Sequence, residues 1–382
     1  ITWNNITTNN SPVTIGLNHS LNLSGTLSIA ITTTINKTAS EVINSGGLST
    51  TTAGGFNLGG TADIYLTGGV WETDTTSYVT NNVYINGNIT FGSSANPYTN
   101  IAGLLTYLSG TTSFIFGHQT RIILSSTLNT AGISFNDFAI VTAASTVTLT
   151  SDLTINGLYT QSTTGGFNET INEIVIIKGG MLMSASMTAG TADIYLRGGT
   201  WSTSGAFYVT NNLFLDGPVA LSGNIYYGTN ILTYNSGTIS QLGTTGITLN
   251  LQTSTVNNFN KVPLSRVIIT AANTITMNEF FTGTASQICQ ISSTGANYNI
   301  TFSDSFEKIA KNVAVLGATI TNRMQLLIIT KYKSNFTRGT NIGVRYINQS
   351  PNGFSKKEFM VMGSTDFARP YKLVSDPNFT RQ

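Results

Sequence analysis

The chain has 382 residues, of which 9% are charged and 40% hydrophobic, and it carries a formal net charge of +2. Ordinary soluble domains are about 25% charged, so a mainly helical protein that solvates itself with Lys, Glu and Arg is excluded. The aromatic content of 10% and the hydrophobic content speak against disorder, and the lone Cys289 excludes an intrachain disulfide framework. Thr, Ser, Asn and Gly fill about half of the chain, which points to strands and tight turns. Two histidines, His19 and His118, are too few for a zinc site, so no metal and no cofactor is expected. No apolar run approaches the roughly 18–20 residues of a membrane helix. The start at Ile1, without a methionine, reads as processed or trimmed.

The opening stretch TWNNITTNNSPVTIGLNHSLNLSG (2–25) has a counterpart in SFNDFAIVTAASTVTLTSDLTING (134–157) and a weaker one at 258–283. A second pair is closer still: TADIYLTGGVWETDTTSYVTNN (61–82) and TADIYLRGGTWSTSGAFYVTNN (191–212) stand 130 residues apart without an insertion. These repeats predict solenoid units at 1–133 and 134–257 and a partial third unit at 258–290.

Within a unit the strands alternate. In TADIYL, Ala62, Ile64 and Leu66 fall on one face and Asp63, Tyr65 and Thr67 on the other. The Gly pairs ending at Gly180 and Gly199 are 19 residues apart. A strand and a tight corner recurring every 19 to 24 residues or so is the demand of one parallel β-helix coil, and coils stacked about 4.8 Å apart would give a rod on the order of 65 Å long. The alternative is a row of tandem antiparallel β-sandwich domains.

Beyond Gly283 the balance changes from 6 basic and 11 acidic residues to 12 and 5. This marks a mostly β capping or assembly domain at 291–382. Asp304 to Leu316 reads as its one short helix, with Phe306, Ile309, Val313 and Leu316 at helical spacing, a Glu307 capping box and Gly317 as the stop. The basic residues Lys331, Lys333, Arg338, Arg345, Lys356 and Lys357 would serve assembly or docking; without a known motif, nucleic acid is disfavoured.

Glu72 and Asp74 are the best paired carboxylates. On one strand they would stand about 6.5–7 Å apart, a spacing for the acid and base of an inverting glycosidase. The other copy has Ser202 and Ser204 there, which favours solvated carboxylates and no enzyme. Trp71, Trp201, Tyr65 and Tyr195 are candidate glycan-stacking residues, against which stands the reading that repeated aromatics pack between coils.

The strings FNDFAIVTAASTVTLTSDLTING (135–157) and TWNNITTNNSPVTIGLNHSLNLSG (2–25) resemble repeats of β-solenoid fibre and surface proteins of large DNA viruses and tailed phages, and of some bacterial adhesins. The resemblance covers roughly residues 1–283. It implies a virion-surface or extracellular structural protein (fibre, spike or capsid decoration), homo-oligomeric and frequently trimeric, in contact with other virion or surface proteins. A receptor- or glycan-binding adhesin and a polysaccharide-degrading spike are the alternatives.

Overall fold

The computed structural model describes residues 2–347 except 9–11, 51–56, 132, 189, 223–224, 229, 243–246, 263, 271, 284–287, 296–297, 304–307, 322–323, 330–334 and 339–341; for 225–226, 308–311 and 321–347 it describes the backbone alone. The chain forms two units, 1–200 and 201–382. Where it is described, each is a parallel β-solenoid, as the alternation and the corner spacing predict. Parallel ladders exclude the tandem sandwiches, whose sheets are antiparallel.

In the first unit one coil makes three short strands. Asp63–Leu66 lies on the first face, Val70–Thr73 on the second and Tyr78–Val79 on the third. Each strand pairs in parallel with its equivalents below and above: Ile43 with Ile64, Ile64 with Val83, and Val83 with Leu105. Alternation decides what enters the core, because successive side chains of a strand point to opposite sides. Thus Ile64 and Leu66 are buried and contribute to columns of like residues, each adding about 1.5–3 kcal/mol of apolar burial.

The outward columns solvate themselves with little charge. Asn22 and Asn44 stack with an amide bond of 2.8 Å, Asn44 is register partner to Tyr65, and Tyr65 stacks on Tyr84 with ring centroids 4.6 Å apart. One ion pair, Lys37–Asp63 at 2.6 Å, lies beside that column. The Asp63 carboxylate raises the Lys37 pKa through this bond and also accepts the Asn82 amide at 2.8 Å.

Corners are made by residues that need no room. Gly69 has φ +75°, and a Cβ there would lie 1.8 Å from the Gly46 carbonyl oxygen of the coil below. Gly199, its counterpart 130 residues on, has φ +71° and would place a Cβ 2.2 Å from Gly179. Only glycine fits a left-handed corner stacked this closely.

In the second unit two ladders continue through most of the described chain. One includes Leu249, Val267, Ile291 and Val315, the other Leu232, Val256, Met277 and Phe302. The first passes from Leu264–Ile269 to Cys289–Ser293 and Val313–Thr321 without a break, across the stretch where the charge changes sign. A third, parallel ladder joins Lys308–Lys311, Met324–Ile329 and Ile342–Ile347.

The helix expected over Asp304 to Leu316 is not formed where the chain is described: Lys308–Lys311 and Val313–Thr321 are strands. Val313, Val315, Ala318 and Ile320 are all buried, with Gly317 at φ +75° absorbing the register shift between Leu316 and Ala318. The β-branched alternation, with Cys289 and Ile291 waiting in register below, outweighs the helical spacing. Asp304, Phe306 and Glu307 lie outside the described residues.

Candidate functional site

The second face of the first unit carries an inward run of aromatic side chains. Trp71 lies 5.7 Å from Phe91, and Phe91 stacks on Phe114 at 4.9 Å and 12°. The strand Thr112–Phe114 pairs with Ile89–Phe91 below it. The next strand on that face, Ser134–Phe135, pairs with Leu153–Ile155 above. Among the described residues no ladder joins Thr112–Phe114 to Ser134–Phe135, although both neighbouring faces stay bonded: Leu104–Ser109 to Ser126–Asn129, and Gln119–Ile122 to Asp137–Ile140. The rings of Phe114 and Phe135, 6.0 Å apart, close the gap from inside. Outside them lies a cleft of about 570 Å³ lined by residues 112–116, Ser134, Asn136 and Asn156.

Its shape follows from a local turn. The His118 amide donates to the Ile115 carbonyl at 3.1 Å, and Gly117 takes φ +75°, the left-handed position that a type II turn requires. The turn breaks the alternation that would send Phe114 and Phe116 to the same side. Phe116 is thrown out to full exposure, 103%, where leaving the ring in water forgoes about 1.5–3 kcal/mol of burial.

Next to Phe114 sits His118, fully buried, its ring 5.2 Å from the phenyl group. Its Nε2 is 3.1 Å from Thr99 Oγ1, and its Nδ1 has no partner among the described residues. Desolvation drives its pKa down to about 4, so it is neutral at pH 7. The cleft's amides are already oriented. Lys178 Nζ donates to Asn156 Oδ1 at 3.0 Å, and Asn136 Nδ2 donates to the His118 carbonyl at 3.5 Å. Asn156 therefore offers its NH₂ and Asn136 its carbonyl oxygen. Ser113 Oγ pairs with Thr90 Oγ1 at 3.0 Å, and none of the described residues that line the cleft is charged.

The residues that the sequence singles out are elsewhere. Trp71 and Trp201 are both 0% exposed, so the expectation that they stack on glycans is corrected: alternation turns them into the core, where no surface ligand reaches the indoles. Tyr65 faces outward but is covered by its stack on Tyr84. Tyr195 points outward with the Arg197 guanidinium 5.8 Å from its ring centre.

Glu72 and Asp74 do not share a strand face, because the strand ends at Thr73. Glu72 accepts the Ser49 hydroxyl at 2.9 Å. Asp74 closes the following turn instead, its Oδ1 accepting the amides of Thr76 at 2.8 Å and Ser77 at 2.6 Å. The carbonyls of Asp74 and Ser77 both accept from the buried Asn100 Nδ2 at 2.7 Å. The glycosidase-like pair is therefore not assembled. Among the described residues no cluster of His, Cys, Asp and Glu could hold a metal.

Of the basic docking candidates, Lys331, Lys333, Lys356 and Lys357 lie outside the described residues. The backbones of Arg338 and Arg345 belong to the strands Asn335–Arg338 and Ile342–Ile347.

Sequence reasoning missed the cleft, for which the only local signal is the FIFGH turn at 114–118. It also missed a corner built twice from T-x-x-E. Thr38 and Thr170 donate their backbone amides to Glu41 and Glu173 at 2.9 and 2.7 Å, with the threonine hydroxyls 3.0 and 2.8 Å from the second carboxylate oxygens. The spacing and the carboxylate-to-amide bond are those of a helix capping box, but between these strands the threonine hydroxyl donates to the carboxylate as well. No protein-family profile, curated protein or solved structure matches the chain.

Proposed function

We propose that this chain is a structural protein of a surface appendage: a fibre, spike or capsid decoration of a virus particle or cell surface, acting as a homo-oligomer, with a trimer as the form that the repeat resemblance implies. The observation that carries this reading is the continuity of parallel ladders with neutral, mutually bonded side chains outside, as in Asn22, Asn44, Tyr65 and Tyr84. Such a surface stays hydrated without relying on charge and leaves little for salt to screen. The carboxylates best placed for hydrolysis, Glu72 and Asp74, are engaged in packing and turn formation, which favours a scaffold over an enzyme.

Immunogold electron microscopy of intact particles or cells carrying the protein, with antibodies raised against the purified chain, tests this. Label on surface projections is expected, together with a native mass in solution that is a multiple of 40.6 kDa. Label confined to the interior, or a monomer at all concentrations, would overturn it.

A further inference from the structure

We propose that the cleft on the second face, between Thr112–Phe114 and Ser134–Phe135, is a binding site for a neutral oligosaccharide, with Phe116 as its stacking platform. Its volume, about 570 Å³, lies within the range of about 300–1,000 Å³ that small-molecule sites occupy. Three features select the ligand class.

Phe116 is held outward by a turn and nothing covers its ring, so one face is available to the C–H groups of a pyranose, which meet the electron-rich face of a phenyl ring. The two amides are fixed with complementary polarity, since Lys178 and the His118 carbonyl consume one end of each. What remains is a donor from Asn156 and an acceptor from Asn136, the pair that adjacent sugar hydroxyls require. Finally, the described lining is neutral, with the Lys178 cation at its edge. None of the described lining side chains is charged; Lys178, which donates to Asn156, keeps its positive charge at the exposed rim, and His118 behind the wall is neutral. An anionic ligand would meet only the solvent-exposed Lys178 ammonium at the rim, whose pull is weakened by water and salt, and an apolar one would leave the amides without partners.

This site goes beyond the structural role proposed above, and either can fail alone. The probe is a panel of linear di- to tetrasaccharides of glucose, galactose, mannose and N-acetylglucosamine, with galacturonic acid oligomers as charged comparators, titrated by calorimetry into the full chain. Saturable binding of at least one neutral oligomer is expected. Phe116→Ala should weaken it about tenfold or more, Asn136→Ala should weaken it as well, and Phe116→Trp should preserve it. Phe116 is fully exposed, so Phe116→Ala should leave the melting temperature unchanged and its effect is read as binding. Absence of binding by every neutral oligomer at millimolar concentration, binding of the charged comparators only, or binding that survives Phe116→Ala would overturn the proposal.

Discussion

Tyr65 and Tyr195 hold the same place in two copies of one sequence, yet they stand on different faces of the coil. Tyr65 belongs to the first face, in register with Asn44 and Tyr84. Tyr195 is in register with Ile176, on the second face. The register explains this. Following Ile64 upward leads to Val83, Leu105, Leu128 and Leu149. The same ladder continues from Val147 to Phe167 and from Gly165 to Met187. That is six coils, and Asp193–Leu196 follows one face later. The T-x-x-E corners obey the same shift: Thr38 follows a third-face strand and Thr170 a first-face strand. A duplicated length of 130 residues therefore advances the chain by six coils and a third, and the faces are similar enough to accept one another's sequence.

Close stacking at the corners makes glycine substitutions unequal. Gly69 and Gly117 share φ +75°, but a Cβ on Gly117 meets nothing within 4 Å, whereas on Gly69 it meets the Gly46 carbonyl. Gly117→Ala should cost about 1–2 kcal/mol for the left-handed backbone alone. Gly69→Ala should cost at least twice as much in denaturant unfolding. Equal costs would mean that the corner can open freely.

Trp71 is the largest piece of the aromatic stack. Trp71→Ala should lose about 3–5 kcal/mol, while Val70→Ala, one residue away but 38% exposed, should lose less than about 1 kcal/mol. Comparing the two unfolding midpoints checks the direction of the strand directly.

The Glu173 carboxylate is held at a pKa of about 2, below the ordinary 4.5, first by the Ile171 amide and then by Thr170. A depressed carboxylate stabilises the fold above its unfolded pKa and loses that contribution as pH falls through the folded value. Stability should therefore decline between about pH 5 and pH 2, and Glu173→Gln should flatten part of that decline. A titration of the thermal midpoint over this window reads it; identical slopes in the two proteins would remove Glu173 from the acid response.

Cys289 is fully buried, and burial pushes its thiol pKa well above the ordinary range. It should not react with a thiol reagent such as dithionitrobenzoate at pH 8 in the native protein. Reactivity should appear in step with denaturant unfolding of the second unit. Rapid labelling of the folded protein would contradict the buried ladder at Cys289–Ser293.

Much of the architecture is legible in the sequence. Ala62, Ile64 and Leu66 are buried as the alternation of TADIYL predicts, because a period of two leaves one choice of side once the apolar residues are seen. VWET is different. Val70 and Trp71 are both apolar, so the local pattern does not say which one faces inward, and only the ladder partners Leu48 and Phe91 decide it. Val313–Thr321 fits two periods at once, and the register partners decide there too. The cleft is hidden for another reason. It arises where two strands about twenty residues apart fail to pair, and a missing bond between coils leaves no mark on either strand's own sequence.

That missing ladder also has a mechanical meaning. Among the described residues, a load along the stacking direction of the first unit crosses the level between Thr112–Phe114 and Ser134–Phe135 on two bonded faces instead of three. The same level holds the packed rings of Phe114 and Phe135, which resist separation through contact area and not through directional bonds. Under tension, separation at this level would break fewer backbone hydrogen bonds than at a level bonded on all three faces, and the cleft would widen with it.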